Sequence, residues 1–256
     1  MTKLEFAQAV ADRVNGEVRE VTKTNGVVKT GIVLKDGTDC GDYTFAATLY
    51  VDDFYDKGEA IDDAVKYIED FKRTESESPF GDFNLNNIRD YSAIKDKLRL
   101  RLYNEKTPAE LFKSAEKYGF PDLILVPYIQ ITDEASTKVT GFLLDDWGVA
   151  EEQMFNDAYK ATKAVGGNIS SFLGMNVISN ATKTYGAIMA ITETDMLDSK
   201  FPKGYYLIPS SVHEMLVMPA DIGISIDDMN EMVRSVNEAE VKPEEVLSDH
   251  VYDFTR

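Results

Sequence analysis

The chain has 256 residues, 43% of them hydrophobic, and a formal charge of -18 from 45 acidic and 27 basic side chains. That length can bury a sizeable core as one large domain or two small ones, while the charge repels phosphate backbones and argues against direct nucleic-acid binding. One cysteine excludes an intramolecular disulfide, and no apolar run is long enough to span a bilayer, so the expected setting is the cytoplasm, with no membrane partner.

In chain order, Leu4, Phe6, Val10 and Val14 recur at helical spacing and predict a short amphipathic helix over 2–14, stopped at Gly16. Its charged start does not resemble a signal peptide. Glu17–Thr22 and Val27–Leu34 flank Asn25-Gly26, a strong hairpin signal. Aromatic and β-branched residues over 43–51 predict a third strand. Ile61, Val65, Ile68 and Phe71 then predict a helix over 58–72. Polar, breaker-rich Thr74–Pro79 marks 74–90 as a linker between a 1–73 region and a 91–256 region, or as a long loop within one continuous domain.

In Ile94–Leu102, Lys95, Lys97, Arg99 and Arg101 alternate with Leu98, Leu100 and Leu102, the pattern of a half-buried strand with a basic outer face. Lys97, Arg99 and Arg101 are therefore candidate anion ligands, although pairing with acidic neighbours is the plainer use. Thr107-Pro108 with Glu110 predicts a capped helix closed by Gly119. Residues 122–131 form a mostly apolar strand with 137–144 as a possible partner, and 149–165 has helical periodicity, stopped by Gly166-Gly167. Residues 185–192 and 205–208 read as strands, 214–218 as a strand or a short buried segment, and 227–237 as a helix with Met229, Met232, Val233 and Val236 on one face. Strand meanders alternating with separate helices predict an α+β fold with mixed, mostly antiparallel sheets and helices packed on them.

The groups most able to move protons lie in Leu207–Pro219: His213, Ser210, Ser211 and Glu214. A hydrolase would use His213 as general base, Ser211 or Ser210 as nucleophile and Glu214 to orient the ring, with His250 as an alternative base. Adjacent strand side chains point to opposite faces, which weakens the Glu214 role. No G-x-S-x-G elbow is present, and H-E-x-x-H would need a histidine where Val217 stands. Two histidines and one cysteine nearly exclude a His- or Cys-rich zinc site. Tyr55 and Lys57 occupy positions where an EF-hand needs oxygen ligands. Phosphate loops are missing, so no cofactor is expected. Cys40 has acidic neighbours that disfavour its thiolate, and Trp147 reads as an anchor for the following helix.

The charge is localised, with 12 acidic and 5 basic residues over 52–90 and 10 acidic and 3 basic over 221–256. Such surfaces suit a protein partner with a basic face, possible for a protein that normally handles nucleic acid. The expectation is a non-enzymatic acidic binding protein; the alternatives are the hydrolase and a small-anion-binding protein using Lys97, Arg99 and Arg101.

Ile208–Glu214, Met232–Asn237 and Val246–Tyr252 together resemble domain of unknown function 5688, a family of Gram-positive gut bacteria and their mobile elements. Asn25-Gly26, Thr48–Tyr55, Leu102–Asn104 and Asp122-Leu123 are weaker signatures of the same resemblance. It implies no activity; a mobile-element setting would favour regulatory or counter-defence binding over metabolism, by analogy alone.

Overall fold

The structure, a computed structural model, describes residues 1–35, 38–40, 43–75, 83–132, 135–172 and 174–256. Contacts divide the chain into two units, Met1–Lys23 with Val27–Ile88, and Thr24–Gly26 with Arg89–Arg256.

In the N-terminal unit, Thr2 accepts from the Glu5 amide while the Glu5 carboxylate accepts from the Thr2 amide. This capping box satisfies donors that the first helical turn leaves open and starts α1 (Lys3–Arg13). Strands β1 (Gly16–Thr22) and β2 (Val28–Leu34) form the expected antiparallel hairpin, with Asn25 left-handed at φ 58° in its turn. The third strand expected over 43–51 divides in two. β4 (Tyr43–Phe45) pairs with β3 (Thr38–Cys40), and β5 (Thr48–Tyr50) joins β2. Helices α2 (Asp52–Asp56) and α3 (Ile61–Glu75) follow. Phe6, Val10 and Val14 of the first helical stripe are buried with Ile32, Leu49, Ala64 and Ile68, whereas Leu4 is exposed. Gly41 and Asp42 beside Cys40, and residues 76–82 of the expected linker, lie outside the described residues.

Asp52 sits on a helix rather than in a calcium loop. Its buried carboxylate accepts from the Thr30 amide at 2.9 Å and from Lys3 Nζ at 3.2 Å. Asp52→Ala would leave the Thr30 amide without this acceptor, so we expect a loss of about 1–3 kcal/mol. Urea denaturation checks this; an unchanged midpoint would contradict the assignment.

In the C-terminal unit, Asp90 caps α4 (Tyr91–Ile94), and Lys95–Lys97 form a 3-10 turn, so β6 (Leu98–Asn104) begins only at Leu98. The helix expected from Thr107 to Gly119 does not form. That stretch instead contains β7 (Lys113–Ser114) and a 3-10 turn over Glu116–Tyr118, and the Glu110 carboxylate accepts from the Gly141 amide. The segment carries Leu111, Phe112, Ala115 and Tyr118 at helical spacing, but Lys113-Ser114 pair with the following strand and Phe112 is exposed, so tertiary pairing overrides the cap signal. β8 (Leu123–Gln130) runs antiparallel to β6 along its whole length, while β7 and β9 (Ser136–Lys138) share its other edge. The second half of the strand expected over 137–144 belongs to α5 (Gly141–Trp147), capped by Thr140; Trp147 closes it, packed on Tyr91. α6 (Glu151–Val165) lies close to its expected position.

A second sheet begins with β10 (Gly167–Phe172) and β11 (Met175–Asn180), neither of which was expected. The strand expected over 185–192 is instead a 3-10 turn, Gly186–Ile188, and α7 (Met189–Thr192), followed by α8 (Thr194–Lys200). β12 (Tyr205–Ser211), β13 (Glu214–Pro219), α9 (Ile226–Ala239) and β14 (Tyr252–Asp253) complete the unit. The strand order is β10-β11-β13-β12-β14, antiparallel throughout. Met229 and Val233 of α9 pack on Ile208 and Val251. The fold is α+β. No helix among the described residues is long and apolar enough to cross a membrane.

Candidate functional site

On β6, residues two apart share a face, which aligns Arg99, Arg101 and Tyr103. Antiparallel register places Tyr128 of β8 opposite Arg99 and so on that same face. The expected outward basic surface is not what forms: Arg101 is only 5% exposed. Its guanidinium carbon lies 4.0 Å from the Tyr128 ring centroid and 3.7 Å from that of Tyr185. Nη2 donates to Ser136 Oγ at 2.7 Å and to Gln130 Oε1 at 3.3 Å. The Tyr103 hydroxyl donates to that of Tyr128 at 3.3 Å, and Tyr103 meets Tyr185 edge-on. Burial pushes both the Tyr103 and Tyr128 phenols above a tyrosine's ordinary range, so both remain neutral at physiological pH.

Arg99, half-buried, donates from Nη1 to the carbonyls of Asp96 and Leu98. Burial lowers its guanidinium below an arginine's ordinary range, offset in part by Asp96; it stays charged. Lys97 ends the preceding 3-10 turn and is not among the residues lining the cavity beside the two arginines. That cavity, of about 150 Å³, is lined by Arg99, Arg101, Gln130, Thr182, Thr184 and Tyr185, together with other side chains. Among the described residues no carboxylate lies within ion-pair distance of Arg101.

The loop after β11 forms one wall. Asn180 folds it back, its Oδ1 accepting from the Thr184 amide and Thr182 hydroxyl and its Nδ2 donating to the Thr184 carbonyl. Tyr185 ends the loop in a left-handed conformation, φ 51° and ψ 33°, uncommon for a bulky residue. Gly186 follows, where a Cβ would lie 2.7 Å from both the Asn180 amide nitrogen and the His213 carbonyl oxygen.

His213 occupies the two-residue turn between β12 and β13. Its amide donates to Ser211 Oγ at 3.1 Å, and its carbonyl accepts from Ser179 Oγ at 2.8 Å. The ring packs against Tyr185, centroids 5.3 Å apart, and Nδ1 accepts from the Tyr185 amide at 3.1 Å. A nitrogen that accepts carries no proton, which places the ring's hydrogen on Nε2, 3.8 Å from Glu245 Oε1. Among the described residues no hydrogen bond joins Ser210 or Ser211 to this ring, and Glu214 continues into β13. The proton-moving candidates are therefore neighbours without forming a nucleophile–base pair.

A model described as Family of unknown function (DUF5688) matches residues 2–168 and 168–256. The chain belongs to this family. No curated protein and no solved structure matches it. In this DUF5688 protein, the Ile208–Glu214 segment spans the end of β12 and the β12–β13 turn that presents His213 to Tyr185.

The Val246–Tyr252 segment builds a second cluster that spacing did not reveal. Ser248 Oγ donates to Asp122 Oδ2 at 2.8 Å and lies 3.1 Å from His250 Nδ1; the Tyr252 hydroxyl donates to Asp122 Oδ1 at 2.8 Å. Ser248 is only 2% exposed and gives its proton to a carboxylate, an arrangement that fixes the chain rather than presenting a nucleophile. Among the described residues no group of three or more His, Cys, Asp or Glu side chains is placed to hold a metal ion.

The sequence reading singled out Arg99 and Arg101 but missed Tyr128, Tyr185, Gln130 and Ser136, which give Arg101 its surroundings. The signal for Tyr128 was strand register; Tyr185 carried none, because its segment read as a strand.

Proposed function

We propose that the C-terminal unit binds a small anion, a carboxylate or an inorganic oxyanion, in the cavity at Arg99 and Arg101. The observation that carries this reading is the Arg101 guanidinium, buried between two tyrosine rings without a carboxylate partner among the described residues. Removing a charge from water is expensive unless it is paired. Stacking on aromatic faces returns only about 0.5–2 kcal/mol per ring, and its Nη2 bonds go to the neutral acceptors Ser136 and Gln130. An anion supplies the missing charge.

A cavity near 150 Å³ accommodates a molecule about the size of benzene, so the ligand is a phosphate, sulfate or short dicarboxylate rather than a nucleotide. Thr182 and Thr184 line the loop side, their hydroxyls donating within the loop to Asn180 Oδ1 and the Thr182 carbonyl. The protein's acidic surface repels anions at long range, so occupancy depends on the local site and not on steering.

Thermal unfolding with phosphate, sulfate and succinate, at constant ionic strength, tests the proposal. We expect at least one anion to raise the melting temperature in a saturable way, about 2.7 kcal/mol of stabilisation at a hundred times its dissociation constant. Identical curves with all three and with chloride alone would overturn it.

A further inference from the structure

We propose that His213 is a positioning residue that gates the Arg101 cavity through Tyr185, so that anion affinity falls when the imidazole is protonated. The inference rests on the anion-binding reading for its ligand but on separate geometry for its mechanism. Tyr185 is the shared part: one side of its ring covers the Arg101 guanidinium at 3.7 Å, while its ring also packs on His213 and its amide donates to His213 Nδ1 at 3.1 Å.

The backbone that carries the imidazole is tied at three points. The Ser179 hydroxyl holds the His213 carbonyl, the Ala187 amide donates to the Val212 carbonyl, and the Val212 amide donates to the Glu245 carbonyl. A proton on Nδ1 would place N–H against N–H at that distance, and the yielding partner is Tyr185, already held left-handed. The tyrosine would then leave the guanidinium face that it covers.

Added positive charge could in principle favour an anion. The groups around the imidazole argue against that outcome. Glu245, from the 3-10 turn Pro243–Glu245, faces Nε2 at 3.8 Å and offsets the new charge. The Tyr185 ring packs on both the imidazole and Arg101 of β6, and Glu214, the next residue, opens β13. Loss of the Tyr185 hydrogen bond therefore outweighs electrostatic attraction.

The test uses the full chain with sulfate, which does not titrate over the pH range used. Calorimetric sulfate affinity should fall about fivefold or more from pH 8 to pH 5.5, the factor that one net hydrogen bond is worth. His213→Gln keeps an acceptor for the Tyr185 amide but cannot be protonated, so it should retain the high-pH affinity and lose the pH dependence. In the same samples the Tyr185 amide resonance should titrate together with the His213 ring protons. A Tyr185 amide indifferent to imidazole protonation, or an undiminished pH dependence in His213→Gln, would overturn the gate. If sulfate bound at no pH, the anion-binding reading would fail, and the Tyr185 amide alone would decide: co-titration upholds the coupling, indifference overturns it.

Discussion

Arg101→Met is expected to weaken anion binding about a hundredfold while leaving the folded chain about as stable as before. The two effects separate because a buried guanidinium is an unusual core residue. Its desolvation costs several kcal/mol, and replacing a buried charge with an apolar side chain of similar length is often neutral or stabilising. Against that gain stand two stacking contacts and the bonds to Ser136 and Gln130. These terms nearly offset, so unfolding free energies from urea denaturation should differ by no more than about 1 kcal/mol. The loss in anion affinity should be about a hundredfold, because truncating one partner of a desolvated charge pair typically costs 2–5 kcal/mol. A variant that unfolds by several kcal/mol yet still responds to anions would show that Arg101 is structural.

Gly186→Ala should produce the largest loss of stability of any single methyl addition in the site. The new Cβ would meet the Asn180 amide nitrogen and the His213 carbonyl oxygen, both 2.7 Å away and both backbone atoms that cannot rotate aside. Overpacking of this kind costs about 1–3 kcal/mol, and contact with two fixed backbones puts the expected loss near the top of that range. The same displacement would shift Tyr185, the preceding residue, so anion response should weaken with stability. Denaturant midpoints and anion-dependent melting on the same preparation check both parts; wild-type values in both would mean that this turn has room the geometry denies.

Much of the fold was legible where side-chain periodicity reports burial directly. Phe6, Val10 and Val14 mark α1, the Asn25-Gly26 turn marks the first hairpin, and the apolar run of β8 marks a central strand. Reading failed where that link breaks. β10 carries Asn168, Ser170 and Ser171 on a sheet edge and gives no apolar signal. Ala187 to Thr192 are all buried, so a uniformly apolar short run could be strand or helix, and it is helix. The Thr107-Pro108 cap is a local signal that pairing of Lys113-Ser114 with β8 overrides.

The site divides in the same way. Alternation on β6 put Arg99 and Arg101 on one face, but alternation cannot say whether that face meets water or tyrosines. His213 stood out as a rare titratable group, and its environment depends on Tyr185 and Glu245, 28 and 32 residues away in sequence. Only folding brings them together. The acidic excess of 52–90 likewise does not reveal that Asp52 is a buried acceptor for the Thr30 amide.

The measurement that meets the central claim most directly is the arginine Nε–Hε spectrum recorded while sulfate or succinate is added. Anion capture at the Arg99–Arg101 cavity predicts that the Arg101 resonance shifts in a saturable way, with Arg99 moving in parallel and an exposed arginine such as Arg73 staying in place. An Arg101 signal that never moves at concentrations that perturb exposed arginines would contradict the claim.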